Sequence, residues 1–186
     1  MIVDAAFAVA RRSGADDINV RKVANELGCS TQPVMYHFKT VEELKEEVYG
    51  VASRFYGDYL LGNDEDNGGD LGIKELSSRY LRFARDEAPL FRFIFQSGRF
   101  EGDHFDKMFA SEDKLHIISN IQRLTGFGEK EAKLAAASVF SAVHGYACIV
   151  ANGNAEYRED IADSLLENIC NAAVAYWKKS GSEKKK

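Results

Sequence analysis

The stretch INVRKVANELGCSTQPVMYHFK, residues 18–39, decides how the rest of the sequence is interpreted. Asn19 precedes an apolar run that ends at Gly28, as expected of a capped helix closed by a residue that tolerates left-handed backbone. Ser30 then caps a second predicted helix, in which Pro33 falls in the first turn, where its missing N–H costs little. A short helix, a turn containing Gly28 and a second helix predict a helix-turn-helix unit.

The first residues of the second helix in such a unit face the base edges of the DNA major groove. Here they are Thr31, Gln32 and Pro33, with Tyr36 one turn later. A Gln side chain can pair with both N6 and N7 of adenine, a Thr hydroxyl can bond a base or a phosphate, and a Pro ring can contact a thymine methyl group. The alternative is that Thr31 and Gln32 are ordinary solvent-exposed residues of a first helical turn.

The wider N-terminal sequence, residues 2–44, resembles the DNA-binding domain of the TetR family of transcriptional regulators. The positions in register are Val20, Val23, Ala24, Leu27, Gly28, Ser30, Val34, His37, Phe38, Lys39, Glu42, Glu43 and Leu44. The resemblance implies a helix-turn-helix DNA-binding domain over residues 1–40, followed by a helical ligand-binding and dimerisation domain over residues 41–179 and a disordered tail over 180–186. The DNA contacts are expected from Arg21, Ser30, Thr31, Gln32, Pro33, Tyr36, His37 and Lys39.

Two positions depart from the family pattern. Met35 stands where the family usually has Tyr, and Val41 stands where it usually has a second Lys. Both family residues commonly touch the DNA backbone, so the phosphate contacts would have to come from other side chains or from N–H groups at helix ends. The candidate side chains are Arg21, Thr31, Tyr36 and Lys39. We therefore expect a lower affinity or a different spacing of contacts.

Hydrophobic periodicity predicts helices and no strand along the chain, an all-α fold. Only 2 of the 186 residues are Pro, against a usual share of roughly 5%, so few helical runs are interrupted. The predicted helices outside the central unit span residues 2–13, 41–61, 73–87, 89–96, 105–125, 129–152 and 158–179.

The net charge of −5 argues at first sight against a nucleic-acid-binding protein. Residues 11–39, however, carry five cations and three acids, so this segment is +2 and the rest of the chain is −7. The charged residues of the segment are Arg11, Arg12, Arg21, Lys22, Lys39, Asp16, Asp17 and Glu26. The acidity therefore lies outside the predicted DNA-binding part, and so few cations predict a shallow dependence of DNA binding on salt.

The segments SRYLRFARDEAPLFRFIF (residues 78–95) and SAVHGYACIVANG (residues 141–153) resemble the subgroup of the TetR family that is marked by a Trp-His-Gly motif, with Val143 at the Trp position. An apolar ligand cavity among helices needs aromatic walls and a few polar groups, and this part of the chain is rich in aromatic residues. The predicted ligand contacts are Tyr80, Phe83, Phe91, Phe95, Phe140 and His144. The alternative is that these are ordinary core residues.

The resemblance implies a cytoplasmic transcriptional regulator, a repressor that binds a palindromic operator as a homodimer through its last two helices. A small apolar or amphipathic effector would release the DNA. We expect no enzyme and no cofactor, because the sequence has no Gly-rich phosphate loop, HExxH or GxSxG motif. The alternative function is a helical adaptor without sequence-specific DNA binding, which salt-dependent binding to DNA would distinguish.

Two further segments admit a second interpretation. Residues 64–75 follow the register of a calcium loop, but two ligand positions are glycines, which favours a solvated acidic turn. Residues 134–151 carry no formal charge over nearly the ~18 residues of a membrane span. Serine, histidine and glycine interrupt this run, so we expect a core or interface helix and no membrane partner. The three cysteines have no metal-site or disulfide spacing, which fits a reducing cytoplasm.

Overall fold

The computed structural model describes residues 1–62, 73–99 and 112–183. Within these ranges the chain forms nine α-helices and no β-strand, which confirms the all-α prediction. The helices are α1 (Ile2–Ser13), α2 (Val20–Leu27), α3 (Gln32–His37), α4 (Val41–Leu61), α5 (Ile73–Asp86), α6 (Ala88–Gln96), α7 (Glu112–Thr125), α8 (Glu129–Ala151) and α9 (Glu159–Glu183). A single 3-10 turn, Ala15–Asp17, lies between α1 and α2.

Local side-chain and backbone chemistry sets both ends of α2. The side chain of Asn19 accepts a hydrogen bond from the backbone N–H of Lys22 at 2.9 Å, so Asn19 caps the helix as predicted. Gly28 has φ 67° and ψ 30°, the left-handed conformation that a residue without Cβ adopts at little cost. The N–H of Cys29 then donates to the carbonyl of Ala24 at 3.0 Å, which satisfies the end of α2 and turns the chain toward α3.

The prediction that Ser30 caps the second helix was wrong. Thr31 directly precedes α3 and already has helical backbone angles, φ −70° and ψ −16°, and its side chain makes no capping hydrogen bond. The turn therefore continues through Thr31, and Ser30 lies too early to cap. Pro33 does fall in the first turn of α3, as predicted.

The chain forms two compact units. The first comprises Met1–Tyr59 with Asp86–Phe100, and the second comprises Leu60–Arg85 with Glu101–Lys186. In the first unit α1 packs against α2 and α6, and α2 packs against α3. Edge-to-face ring pairs join α4 to α6, with centroids 5.7 Å apart for Tyr49 and Phe93 and 5.2 Å apart for Tyr56 and Phe95. The predicted helix-turn-helix thus belongs to one unit with α6, a helix far along the chain that packs against α1.

The second unit is built around α8, which packs against both α7 and α9. Its core places Ile118 and Ile121 against small residues of α8, namely Ala132, Ala136 and Ala137. Helix α8 is long and apolar enough to cross a bilayer by length and composition alone, but 44% of that stretch is buried within the protein. A single helix of this kind is weak evidence for a membrane span, and α8 packs against both α7 and α9.

Three sequence predictions meet the structure only in part. The compact units do not divide at residue 40, because most of α4 and all of α6 belong to the same unit as the helix-turn-helix, so the functional division at that residue stays a prediction. Helix α9 continues to Glu183, beyond the predicted end near residue 179. The acidic residues 64–72, on which the calcium-loop interpretation depends, and the predicted helical residues 105–111 lie outside the described residues.

Candidate nucleic-acid interface and ligand cluster

Helix α3 exposes nearly all of its side chains. Val34 is fully buried and anchors the helix, while the other five of its six residues are exposed. Tyr36 is 84% exposed and Met35 is 63% exposed, unusually high fractions for large apolar side chains. Such a concentration of exposed apolar surface beside polar residues is typical of a binding surface.

All eight side chains that the sequence predicts to contact DNA lie on the exposed surface of the first unit. They are Arg21, Ser30, Thr31, Gln32, Pro33, Tyr36, His37 and Lys39. Seven of them lie on α3 or directly beside its ends, and the eighth lies in the first turn of α2, which packs against α3. Their contact with DNA stays a prediction.

Most cations of this surface are already paired within the protein. Arg12 contacts Glu26 at 2.8 Å and Lys22 contacts Asp17 at 2.6 Å, and the hydrogen bond from Arg12 lowers the pKa of Glu26. Arg11 is paired with Glu87. Within the described part of the chain, Arg21 and Lys39 have no carboxylate partner, so they carry the positive charge that remains available to phosphates. The sequence shows which residues are cationic, but it does not show which of them are paired with carboxylates and which can bind phosphates.

Side chains at the start of α4 bond the backbone N–H groups there. Glu43 donates its N–H to the Thr40 hydroxyl at 3.1 Å, and its carboxylate accepts the backbone N–H of Lys39 at 2.9 Å. This capping box fixes the first turn of α4, which three residues separate from the end of α3. It also occupies N–H groups that could otherwise bind a phosphate, and it puts a carboxylate at the helix end. These N–H groups are therefore not available for the phosphate contacts that we expected from helix ends.

An open groove of about 590 Å³ lies beside α3. Its lining, mostly apolar, comprises Met1, Ile2, Val3, Leu27, Cys29, Pro33, His37 and Phe38. The groove was not predicted from the sequence, because its walls come from the start of α1 and from the helix-turn-helix, segments that meet only in the folded unit.

Three of the predicted ligand residues meet in the second unit. The Tyr80 hydroxyl lies 2.7 Å from Nδ1 of His144, and the His144 ring stacks on Phe140 with centroids 5.5 Å apart. The rings of Tyr80 and Phe140 have centroids 5.6 Å apart. Aromatic rings with a polar pair at their centre are the kind of lining that a cavity for small ligands uses.

Cys148 also belongs to this cluster, although its sequence position did not suggest a ligand role. Its Sγ lies 3.4 Å from Nε2 of His144. The two residues are four apart on α8, a spacing that places side chains next to each other and could have identified the pair. Burial lowers the pKa of His144, so its neutral ring has one nitrogen that donates and one that accepts.

The other predicted ligand residues have different surroundings. Phe83 is fully buried in the second unit. Phe91 and Phe95 belong to the first unit, where their rings lie 4.9 Å apart. The structure therefore groups Tyr80, Phe140 and His144 and places Phe91 with Phe95, while a ligand role for any of them stays a prediction.

Comparison with known proteins gives a likeness of fold. No family model and no curated protein matches the sequence significantly. The chain is similar to a TetR-family transcriptional regulator from Streptomyces coelicolor, with a TM-score of 0.67 and 18% identity over 97% of this chain and 83% of that one. It is also similar to a TetR variant from Acinetobacter baumannii AYE in complex with minocycline, with a TM-score of 0.57 and 16% identity over 96% of this chain and 94% of that one. The chain therefore has the fold of the TetR-family transcriptional regulators.

Proposed function

We propose that the chain is a TetR-family transcriptional regulator that binds DNA through α3. The observation that carries the proposal is the exposed surface of this short helix, held only by Val34 and by the flanking turns while its other five residues face solvent. A helix of this kind, second in a helix-turn-helix, fits the major groove. The likeness of fold to transcriptional regulators, rather than to enzymes, supports the same assignment.

DNA recognition divides between base and phosphate contacts. Gln32 reads an adenine through N6 and N7, and Thr31 and Pro33 contact neighbouring base edges. Arg21 and Lys39, which have no acidic partner among the described residues, bind phosphates and fix the position of the helix. A helical adaptor, the alternative function, would need neither the base-reading pattern nor the available cations.

A homodimer is the form in which this surface reads a palindromic operator, because two copies of α3 then lie one turn of DNA apart. Helices α8 and α9 pack against each other and supply an exposed apolar surface for a second copy of the chain. The exposed apolar residues there include Leu134, Ile149, Ile161 and Tyr176. Four helices, two from each copy, would bury this surface.

The effector is a small apolar or amphipathic molecule that binds in the second unit, beside Tyr80, Phe140 and His144. Binding favours a conformation with weaker affinity for the operator, so the protein is a cytoplasmic repressor released by its ligand. The subgroup marked by the Trp-His-Gly motif remains part of this proposal. The minocycline complex of a protein with the same fold supports a ligand-responsive role in general terms.

Footprinting of the DNA that flanks the gene tests the proposal. Purified protein should protect an inverted repeat at low salt, with two protected blocks one helical turn apart. Equal protection of all sequences, or no binding to any duplex at low salt, would favour the adaptor. Analytical ultracentrifugation with and without the protected duplex should show two chains per operator.

A further inference from the structure

Cys148 and His144 form a pair of nucleophile and base within the ligand cluster. Sγ of Cys148 lies 3.4 Å from Nε2 of His144, and the Tyr80 hydroxyl lies 2.7 Å from Nδ1 on the other side of the ring. A thiol, an imidazole and a third group that orients the imidazole make up the arrangement by which proteins activate a cysteine. The pair therefore offers a covalent chemistry in addition to lining a cavity.

The pair lies on a partly exposed ridge of α8. Phe140, His144 and Cys148 are each partly exposed and stand four residues apart, so they follow one another along one side of the helix. At a rise of 1.5 Å per residue, the ridge is about 12 Å long. A small molecule on this ridge can contact an aromatic ring at one end and a thiol at the other.

The other two cysteines have different surroundings. Cys29 is exposed, but its Sγ donates to the carbonyl of Ser30 at 3.3 Å, and a backbone carbonyl takes no proton at neutral pH. Cys170 is partly exposed, and burial raises the pKa of its thiol, which disfavours the reactive thiolate. Within the described residues, Cys148 is thus the one cysteine that has a histidine nitrogen in hydrogen-bond reach.

We propose that Cys148 is the attachment site for an electrophilic effector, an α,β-unsaturated carbonyl compound that carries an apolar or aromatic group. Phe140 contacts the apolar group, and the thiol of Cys148 attacks the β-carbon of the double bond. The name effector rests on the proposed function, whereas the attachment itself does not require DNA binding.

The reaction balances without an oxidant or a further reactant. Nε2 of His144 accepts the proton of the thiol as Sγ bonds to the β-carbon, and the π electrons of the double bond move to give an enolate. The imidazolium then gives this proton to the α-carbon, so the product is a thioether. Burial lowers the pKa of His144, so its ring is neutral at neutral pH and can accept the proton. In the reacting tautomer, Nδ1–H donates to the Tyr80 oxygen, which holds the ring in place.

Peptide mapping by mass spectrometry measures the rate at which each thiol of the wild-type protein reacts. Phenyl vinyl ketone and methyl vinyl ketone carry the same reactive vinyl group, and only the first has a ring that can contact Phe140. With phenyl vinyl ketone, Cys148 should react faster than Cys170 by about tenfold or more. The ratio of the Cys148 rate to the Cys29 rate should be higher than with methyl vinyl ketone. A Cys148 rate no greater than that of Cys170, or equal ratios for the two ketones, would overturn the proposal.

Two variants separate activation by the imidazole from simple exposure of the thiol. His144→Gln keeps a polar side chain but removes the base, so it should slow Cys148 by about tenfold or more and leave Cys29 and Cys170 unchanged. Tyr80→Phe should slow Cys148 less, because the base remains and loses only the group that orients it. An unchanged Cys148 rate in His144→Gln would show that the imidazole does not activate the thiol, and the proposal would be wrong.

Operator binding distinguishes failure of this inference from failure of the proposed function. Protein treated with phenyl vinyl ketone should lose affinity for the footprinted duplex, whereas Cys148→Ser treated in the same way should keep it. This control also accounts for modification of Cys29, which lies beside α3. If Cys148 reacts as expected but untreated protein binds no duplex, the attachment site stands and the proposed function fails. If untreated protein binds the duplex but Cys148 does not react preferentially, the proposed function stands and the attachment site fails.

Discussion

Arg11 and Glu87 form a two-pronged ion pair between residues that lie 76 positions apart. Nε of Arg11 lies 2.8 Å from Oε2 of Glu87, and Nη2 contacts Oε1. The Glu87 side chain is only 10% exposed and that of Arg11 is 48% exposed. The guanidinium also lies 4.7 Å from the centroid of the Phe55 ring. One side chain of α1 thus contacts α4 and the residue that precedes α6.

Replacing Glu87 with Gln should destabilise the protein by about 1–2 kcal/mol, because a nearly buried charged hydrogen bond is lost while Arg11 keeps access to water. Urea unfolding followed by circular dichroism measures the change. Glu26→Gln is the control, since Glu26 pairs with Arg12 on the exposed surface and its loss should matter much less. Equal losses in the two variants would mean that burial of Glu87 adds nothing.

Gly28 requires its left-handed backbone, so Gly28→Ala should cost about 1–2 kcal/mol of stability and weaken DNA binding through the turn before α3. Gly57→Ala is the matched control. Gly57 lies within α4, where a Cβ would meet no atom within 4 Å, and the substitution should stabilise the protein by roughly 0.5–1 kcal/mol. The same unfolding measurement applies, and a loss of similar size at both positions would contradict the argument.

Gln32→Ala should reduce discrimination at one base pair by about 1–3 kcal/mol and leave nonspecific binding nearly unchanged. Fluorescence anisotropy with the footprinted duplex and its single-base variants provides the measurement. Gln96→Ala removes the same side chain from an exposed position at the end of α6 and should change neither quantity. Equal weakening on all duplexes would mean that Gln32 does not read a base.

DNA binding should depend on salt with a shallow slope. If Arg21 and Lys39 supply the phosphate contacts, a dimer makes about four, and log K should fall with log salt concentration at a slope of roughly −4. Lys39→Gln should reduce that slope by about two, because each chain loses one contact. A slope twice as steep would show that Arg12 and Lys22 leave their acidic partners when DNA binds.

His144 should make the protein less stable in mild acid. Burial lowers its pKa in the folded state, so the unfolded chain, with an ordinary His pKa near 6.5, takes up the proton first. The stabilisation that His144 contributes is fully present above about pH 6.5. It is lost as the pH falls from there toward the lowered pKa of His144 in the folded protein. The difference in Tm between wild type and His144→Gln should shrink between pH 7.5 and 5.5. A constant difference would show that His144 titrates normally.

Local signals in the sequence predicted most of the helices and the residues at several of their ends. The predicted bounds of α1 and α4 match the structure to the residue, and Asn19 and Gly28 act as their chemistry requires. The prediction for Ser30 was wrong because the preference of serine for capping positions does not show at which residue the backbone becomes helical. Such signals concern residues within a few positions of each other, and that limits what they can predict.

The sequence could not predict which distant segments contact each other in the folded protein. Periodicity indicates that Phe91 and Phe95 face a core, but it does not say which core, and both pack in the first unit. The candidate ligand cluster was predicted in its residue types, whereas the pairing of Tyr80 with His144 depends on how α5 meets α8. The same holds for the charges, since only the fold shows that Arg12 and Lys22 are already paired.

The single buried residue of α3 has a consequence for the dynamics of the first unit. A helix of six residues completes few internal hydrogen bonds, and Val34 alone attaches its face to the core. Its amide protons should exchange with solvent through local opening, well before those of the better buried α1. A duplex that binds this surface must therefore order the helix as well as contact it, so part of the binding free energy is used to fix the conformation of α3.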